Sequence, residues 1–193
     1  MEQIIKEVHS IPGIEKIGIT TNGLLLPRKL EALQRAGLNQ LNISLDTLQA
    51  EKFTEITRRN GFERVIQAID LALTLGFDPL KVNCVIMRGM NDTEIIDFAH
   101  FTRDRAVDVR FIEYMPFDGN AWNDQKLVSY QEMLGNIQEV YPSLGKLVDL
   151  PNDTAKSESN LLLPSMFFLC LLGVRLASPW PCRSPQLHNL NVR

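Results

Sequence analysis

Cysteine is scarce in this chain of 193 residues: Cys84, Cys170 and Cys182 stand far apart, and none belongs to a close pair or triplet. A disulfide framework is thereby excluded and a reducing compartment is the default. An excess of one charge is lacking too, with 20 Lys and Arg against 23 Asp and Glu for a net charge of -3. Nothing electrostatic therefore points to nucleic acid or a membrane surface as partner, and any binding of phosphate has to be local. The apolar run Leu161 to Val174 falls short of the roughly 20 residues that a spanning helix needs, and Pro164 breaks its start. Met1 to His9 mixes acids and bases with Ile4, Ile5 and Val8, so it has no signal-peptide h-region. The Gly-x-Gly-x-x-Gly fingerprint of a dinucleotide fold is missing after the first strand.

What is there suits a soluble core: 45% of residues are hydrophobic and 22% charged, with room for one domain and a tail. The stretch Leu41-Asn42-Ile43-Ser44-Leu45-Asp46-Thr47 alternates apolar and polar residues with the period of a strand. It delivers Ser44, Asp46 and Thr47 to one end. Asp46 with Gln49 predicts a capping pair for a helix from about Leu48 to Thr57. The same layout recurs along the chain. Lys16 to Thr20, Lys81 to Met87 and Val107 to Met115 read as strands. Helical stripes are carried by Ile4, Ile5 and Val8; by Leu26, Leu30 and Leu33; by Phe62, Val65, Ile66, Ile69 and Leu73; and by Ile95, Phe98 and Ala99. Gly23, Gly37 and Gly76 mark the turns, Asn91 with Glu94 predicts a second capping pair, and a last helix is expected from about Tyr130 to Val140.

Strand and helix alternate four times, which predicts a parallel α/β sheet. With no dinucleotide fingerprint, a (βα) barrel, complete or partial, is favoured over an open doubly wound sheet. Barrel sites lie at strand C-terminal ends, where this chain places Thr20, Ser44 and Met115. Trp122, in the loop after the fourth strand, reads as a lid or as core cover. From about Lys156 the character changes to an apolar run and a stretch holding Pro179, Pro181 and Pro185. We therefore expect a barrel body over 1–155 and a divergent, disordered or poorly folded tail over 156–193.

Four strand ends carry a resemblance when taken together: Thr20-Thr21-Asn22-Gly23, Asn42 to Thr47, Lys81 to Gly89 and Arg110 to Pro116. In this order and spacing they resemble the GTP 3′,8-cyclase family of molybdenum-cofactor biosynthesis, which are radical S-adenosylmethionine (SAM) enzymes. The resemblance runs from Met1 to about Ala155. It implies a partial TIM-type barrel that binds SAM and GTP together. The activity implied is radical cyclisation of GTP to (8S)-3′,8-cyclo-7,8-dihydroguanosine 5′-triphosphate. By matching positions, Ser44 and Met115 contact SAM while Thr20 and Lys81 contact GTP. A hydroxyl at a strand end can hydrogen-bond SAM or ribose, and a lysine offers a compact charge to the triphosphate. A structural reading stands beside each. Thr20 can hold its own turn, Ser44 can satisfy nearby backbone, and Met115 can fill the core. Lys81 falls near the start of its strand, away from the active face unless its side chain lies inside the barrel. Arg58 and Arg59 read as a solvated basic loop or as a guide for phosphate.

The family also implies two [4Fe-4S] clusters, one of them in a Cys-x3-Cys-x2-Cys loop, and that loop is absent from this sequence. The Gly-Gly-Glu-Pro strand end that helps to hold SAM is absent as well. We therefore expect a chain truncated at its N-terminus and inactive by itself. The alternative is a noncatalytic product that binds nucleotide or the full-length enzyme. Implied partners are GTP and the cyclic pyranopterin monophosphate synthase of the next step, and an exposed barrel edge admits a homodimer. The implied location is the mitochondrial matrix in a eukaryote or the cytoplasm in a bacterium.

Overall fold

The computed structural model describes residues 1–103, 105–114, 124–146, 156–160 and 169–171. Helix α1 (Glu2–His9) leads into β1 (Gly18–Thr21), followed by α2 (Leu26–Arg35), β2 (Gln40–Ser44), α3 (Ala50–Thr57) and α4 (Phe62–Thr74). Next come β3 (Leu80–Ile86), α5 (Ile95–Arg103), β4 (Val107–Glu113) and α6 (Tyr130–Val140). Three short strands complete the set: β5 (Leu144–Lys146), β6 (Lys156–Asn160) and β7 (Leu169–Leu171).

Strands β1 to β4 lie side by side and parallel, in sequence order. Such neighbours need crossover connections, and the intervening helices supply them. The sheet then continues through β7, β6 and β5. β7 runs parallel to β4, while β6 pairs antiparallel with both β7 and β5. Among the described residues β1 and β5 are free edges, so the sheet is open. This is the incomplete α/β barrel sheet that the alternation implied. Two segments after Lys156 supply β6 and β7 at the far side of the sheet.

Alternation along the strands separates two faces. Leu41, Ile43 and Leu45, then Leu80, Val82, Cys84 and Ile86, then Val107, Val109 and Phe111, are all buried. They pack in one core with Leu30 and Leu33 of α2, Val65 and Ile69 of α4, Phe98 of α5 and Ile137 of α6. Phe98 meets Phe111 edge to face, with centroids 5.8 Å apart, a geometry the ring quadrupoles favour. In α1 only Ile5 is buried; Ile4 is 58% exposed, so the predicted stripe is narrower than its sequence suggests. Gly23 is required where β1 turns into α2. Its φ is +76°, and a Cβ there would stand 3.2 Å from Ile43 and 3.3 Å from Val65.

Several boundaries differ from the sequence expectation: β1 starts at Gly18 rather than Lys16, and β2 ends at Ser44 rather than Thr47. β3 begins at Leu80, so Lys81 is its second residue, and β4 ends at Glu113, before Met115. Met115 and Trp122 lie outside the described residues.

Candidate functional site

The sheet face opposite the helices is polar, and its side chains stand in lateral rows fixed by strand register. Thr20 is level with Asn42, Asn42 with Lys81, and Lys81 with Asp108. One level nearer the strand C-terminal ends, Ser44 is beside Asn83, and Asn83 beside Arg110. Side chains of a strand alternate between faces, so partners in register share one. The Asn42 amide donates to the Thr20 hydroxyl at 3.4 Å. Asn83 Oδ1 and Arg110 Nε are buried and have no hydrogen-bond partner among the described residues. A buried acceptor and a buried donor left open cost stability unless a ligand or water completes them.

Three of the four residues expected to bind ligand are thus on one face. Thr20 and Lys81 flank Asn42 in the first row, and Ser44 opens the second. Lys81 takes the inward placement: it is the second residue of its strand and lies on the polar face between Asn42 and Asp108. Asn42, Asn83, Asp108 and Arg110 were not singled out from the sequence. Their signal was present, since each is a polar residue on the uncovered side of an otherwise apolar strand.

The C-terminal end of β2 is clamped. Asp46 accepts from the Val85 N–H at 2.8 Å through Oδ1, and burial raises its carboxyl above the usual range, opposed by that hydrogen bond. The buried Asn91 amide donates to the carbonyls of Asp46 at 2.6 Å and Val85 at 2.8 Å, and its oxygen accepts from Met87 N–H at 2.7 Å. Glu94 is 1% exposed. It accepts from the Thr47 hydroxyl at 2.7 Å and the Leu48 N–H at 2.8 Å, and pairs with Lys52 at 2.6 Å. Neither predicted capping pair forms. α3 starts at Ala50 with Gln49 as an uncapped N-cap, and Asn91 makes no side-chain cap either. Asp46, Asn91 and Glu94 join the end of β2 to β3 and to the start of α5 instead of closing their own helices.

Residues 1–102 match the family model described as the radical SAM superfamily. The chain belongs to the radical SAM superfamily. Among curated proteins it is 57% identical over 160 residues to molybdenum cofactor biosynthesis protein 1 of Dictyostelium discoideum, covering 81% of this chain and 25% of that protein. It is 51% identical to the mitochondrial GTP 3′,8-cyclase of Arabidopsis thaliana, covering 81% of this chain and 40% of the relative. With the GTP 3′,8-cyclase of Alkaliphilus metalliredigens it shares 39% identity, over 86% of this chain and 54% of the other. The chain thus spans about a quarter of the first relative and two fifths of the second. The resemblance read from the four strand ends holds. Among solved structures, TYW1 with a lysine-pyruvate adduct bound aligns at a TM-score of 0.55 and 18% identity, over 77% of this chain and 48% of that one. A radical SAM methyltransferase from Sphaerobacter thermophilus aligns at 0.51, also at 18% identity, over 64% and 36% of the two chains. Both bear on the fold alone.

Radical SAM proteins use SAM together with a [4Fe-4S] cluster, and thiolates are the usual cluster ligands. Cys84 does not fit that group. Cys84 is wholly buried on the helix-covered side of β3. Burial, with Asp46 and Glu94 adding repulsion, pushes its thiol well above the ordinary range and so disfavours the thiolate. Cys170 lies in β7, and Cys182 lies outside the described residues. Among the described residues no group of three or more His, Cys, Asp or Glu side chains could hold a metal ion. The polar rows do suit the organic ligands, because open buried polar atoms stand beside Ser44. Among those same residues no helix is long and apolar enough to cross a membrane.

Proposed function

We propose that this chain is the ligand-binding sheet of a GTP 3′,8-cyclase, with GTP and SAM held together on the polar face of β1 to β4. Thr20 and Lys81 take GTP, the lysine as a charge for the phosphates, and Ser44 takes SAM. Met115 is the second SAM contact, beside the adenine. The observation that carries this reading is the second row, where buried Asn83 Oδ1 and Arg110 Nε are without partners next to Ser44. Arg110 adds a guanidinium to the face that holds Lys81, and a forked donor of this kind suits phosphate.

In this reading the sheet binds and orients, and among the described residues no side-chain group could hold a metal ion. By itself the chain therefore does not cyclise GTP, although the activity proposed for the whole protein is formation of (8S)-3′,8-cyclo-7,8-dihydroguanosine 5′-triphosphate. A second reading is favoured by the burial of Cys84: a noncatalytic chain that binds nucleotide or associates with the full-length enzyme, for which the open β1 edge offers a surface. The same open edge supports a homodimer. The synthase that consumes the cyclic nucleotide is the pathway partner of this reading. In a eukaryotic cell the location is the mitochondrial matrix, in a bacterial cell the cytoplasm. Titration calorimetry with GTP tests the site: Lys81→Ala is expected to weaken binding by about tenfold or more. Equal affinity in the two proteins removes Lys81 from the site.

A further inference from the structure

The strongest positive feature outside the polar sheet face lies where the β1–α2 turn meets the start of α4. Three connected hollows run along this line. One of about 410 Å³ is lined by Asn22, Leu24, Leu25, Arg59, Asn60 and Arg64. A second, of about 280 Å³, shares Leu24, Leu25 and Arg64 and adds Arg28. The third, of about 320 Å³, shares Asn60 and Arg64 and reaches Phe62. Arg64 lines all three, and Thr20, Ser44 and Lys81 line none.

In a chain of net charge -3 this groove gathers Arg28, Arg59 and Arg64. All are exposed, and no carboxylate among the described residues pairs with them. Glu63, exposed at the third hollow, is the one acid lining the groove. Gly61 is the N-cap of α4 and no side chain caps it, so the N-terminus of a helix of 13 residues lies at the third hollow. The turn is held in place, since the Thr57 hydroxyl accepts from Arg59 N–H and Thr54 bonds Asn60 at 3.0 Å. Leu24 approaches Gly61 so closely that a Cβ would collide with it. Leu25, 62% exposed, gives the groove an apolar wall.

We propose that this groove is a second anion site, which takes the phosphate of a small phosphorylated organic ligand independently of the polar sheet face. Guanidinium groups bind phosphate through paired N–H donors, and a helix N-terminus adds to the same field. Hollows of this size match small-molecule sites, and Leu24 and Leu25 suit the organic part of the ligand. Arg59 of the basic loop, which the sheet-face reading leaves unused, gains a role.

Sodium tripolyphosphate is the probe. It is titrated by calorimetry into the 193-residue chain, and amide hydrogen exchange is followed with and without it. Three proteins are compared: wild type, Arg59→Gln/Arg64→Gln and Lys81→Ala. Protection over residues 59–64 is expected in wild type and in Lys81→Ala, and is lost in the double variant with affinity at least tenfold weaker. Protection confined to β1–β4, its absence, or an unchanged response of the double variant overturns the proposal. Both arginines are exposed, so the variant is expected to melt as wild type does; if it does not, the wild-type exchange map alone decides, because it must locate the probe at 59–64.

Discussion

Lys81 and Asp46 show how a residue's position on the sheet decides its chemistry. Lys81 is the second residue of β3, and register puts it on the polar face beside Asn42 and Asp108. Asp46 follows β2, and burial raises its carboxyl while one backbone N–H partly offsets the cost. A carboxyl whose folded value is raised binds protons more readily in the native state than in the unfolded one. Its contribution to stability is therefore intact below the usual carboxylate range and falls as pH rises through the raised value. Asp46→Asn keeps an oxygen for Val85 N–H and removes that loss. We expect the stability difference between variant and wild type, from urea unfolding, to move in the variant's favour between pH 4 and pH 7. A difference independent of pH would remove Asp46 as its source. The alternation that sets Asp46 in step with Asn42 and Ser44 was legible in the sequence; its desolvation was not, because it comes from neighbours distant in the chain.

At the scale of elements, the clamp around Asn91 and Glu94 holds the C-terminal end of β2 in place. Spacing alone made both residues look like helix caps, since Asn91 with Glu94 fits the capping pattern. A sequence window cannot say whether a carboxylate turns back on its own helix or reaches across to another loop. Here the Thr47 hydroxyl, the Leu48 N–H and Lys52 supply its partners, and α3 starts at Ala50. Glu94→Gln leaves Lys52 without its ion pair and weakens a buried set of hydrogen bonds. A loss of about 2 kcal/mol or more is expected in chemical unfolding, with Lys52, 20% exposed, limiting the cost. Asn91→Ala opens two buried carbonyls and the Met87 N–H, and about 2–3 kcal/mol is expected by the same measurement. Either variant unfolding like wild type would mean that the clamp is not holding the strand end. Helices with strong periodicity were read well: α6 runs from Tyr130 to Val140 as expected, with Met133 and Ile137 buried.

For the molecule as a whole, the helix-covered sheet β1 to β4 is the body on which the remainder is assembled. β7 joins β4 through the single register pair Val109 with Leu169, while β3 and β4 share seven. We propose that residues 1–155 are the autonomous body and 156–193 an appendage. A chain ending at 155 is expected to keep cooperative thermal unfolding and its affinity for GTP; loss of both would make β6 and β7 integral to the fold. Anaerobic treatment of the chain with iron and sulfide is expected to leave no reducible, SAM-cleaving cluster in EPR spectra, because Cys84 is sealed in the core. Appearance of that signal would overturn the proposal that this chain binds without catalysis. The sequence by itself determined the alternation of strand and helix, the apolar stripes that close the core, and the polar positions of Thr20 and Ser44 near their strand ends, because period and turn chemistry are local properties. Only the tertiary structure decided the inward place of Lys81, the row of Asn83 and Arg110 beside Ser44, and the redirection of Glu94 from cap to clamp. Those depend on which strands become neighbours and in what register, and that is settled by burial across the whole sheet.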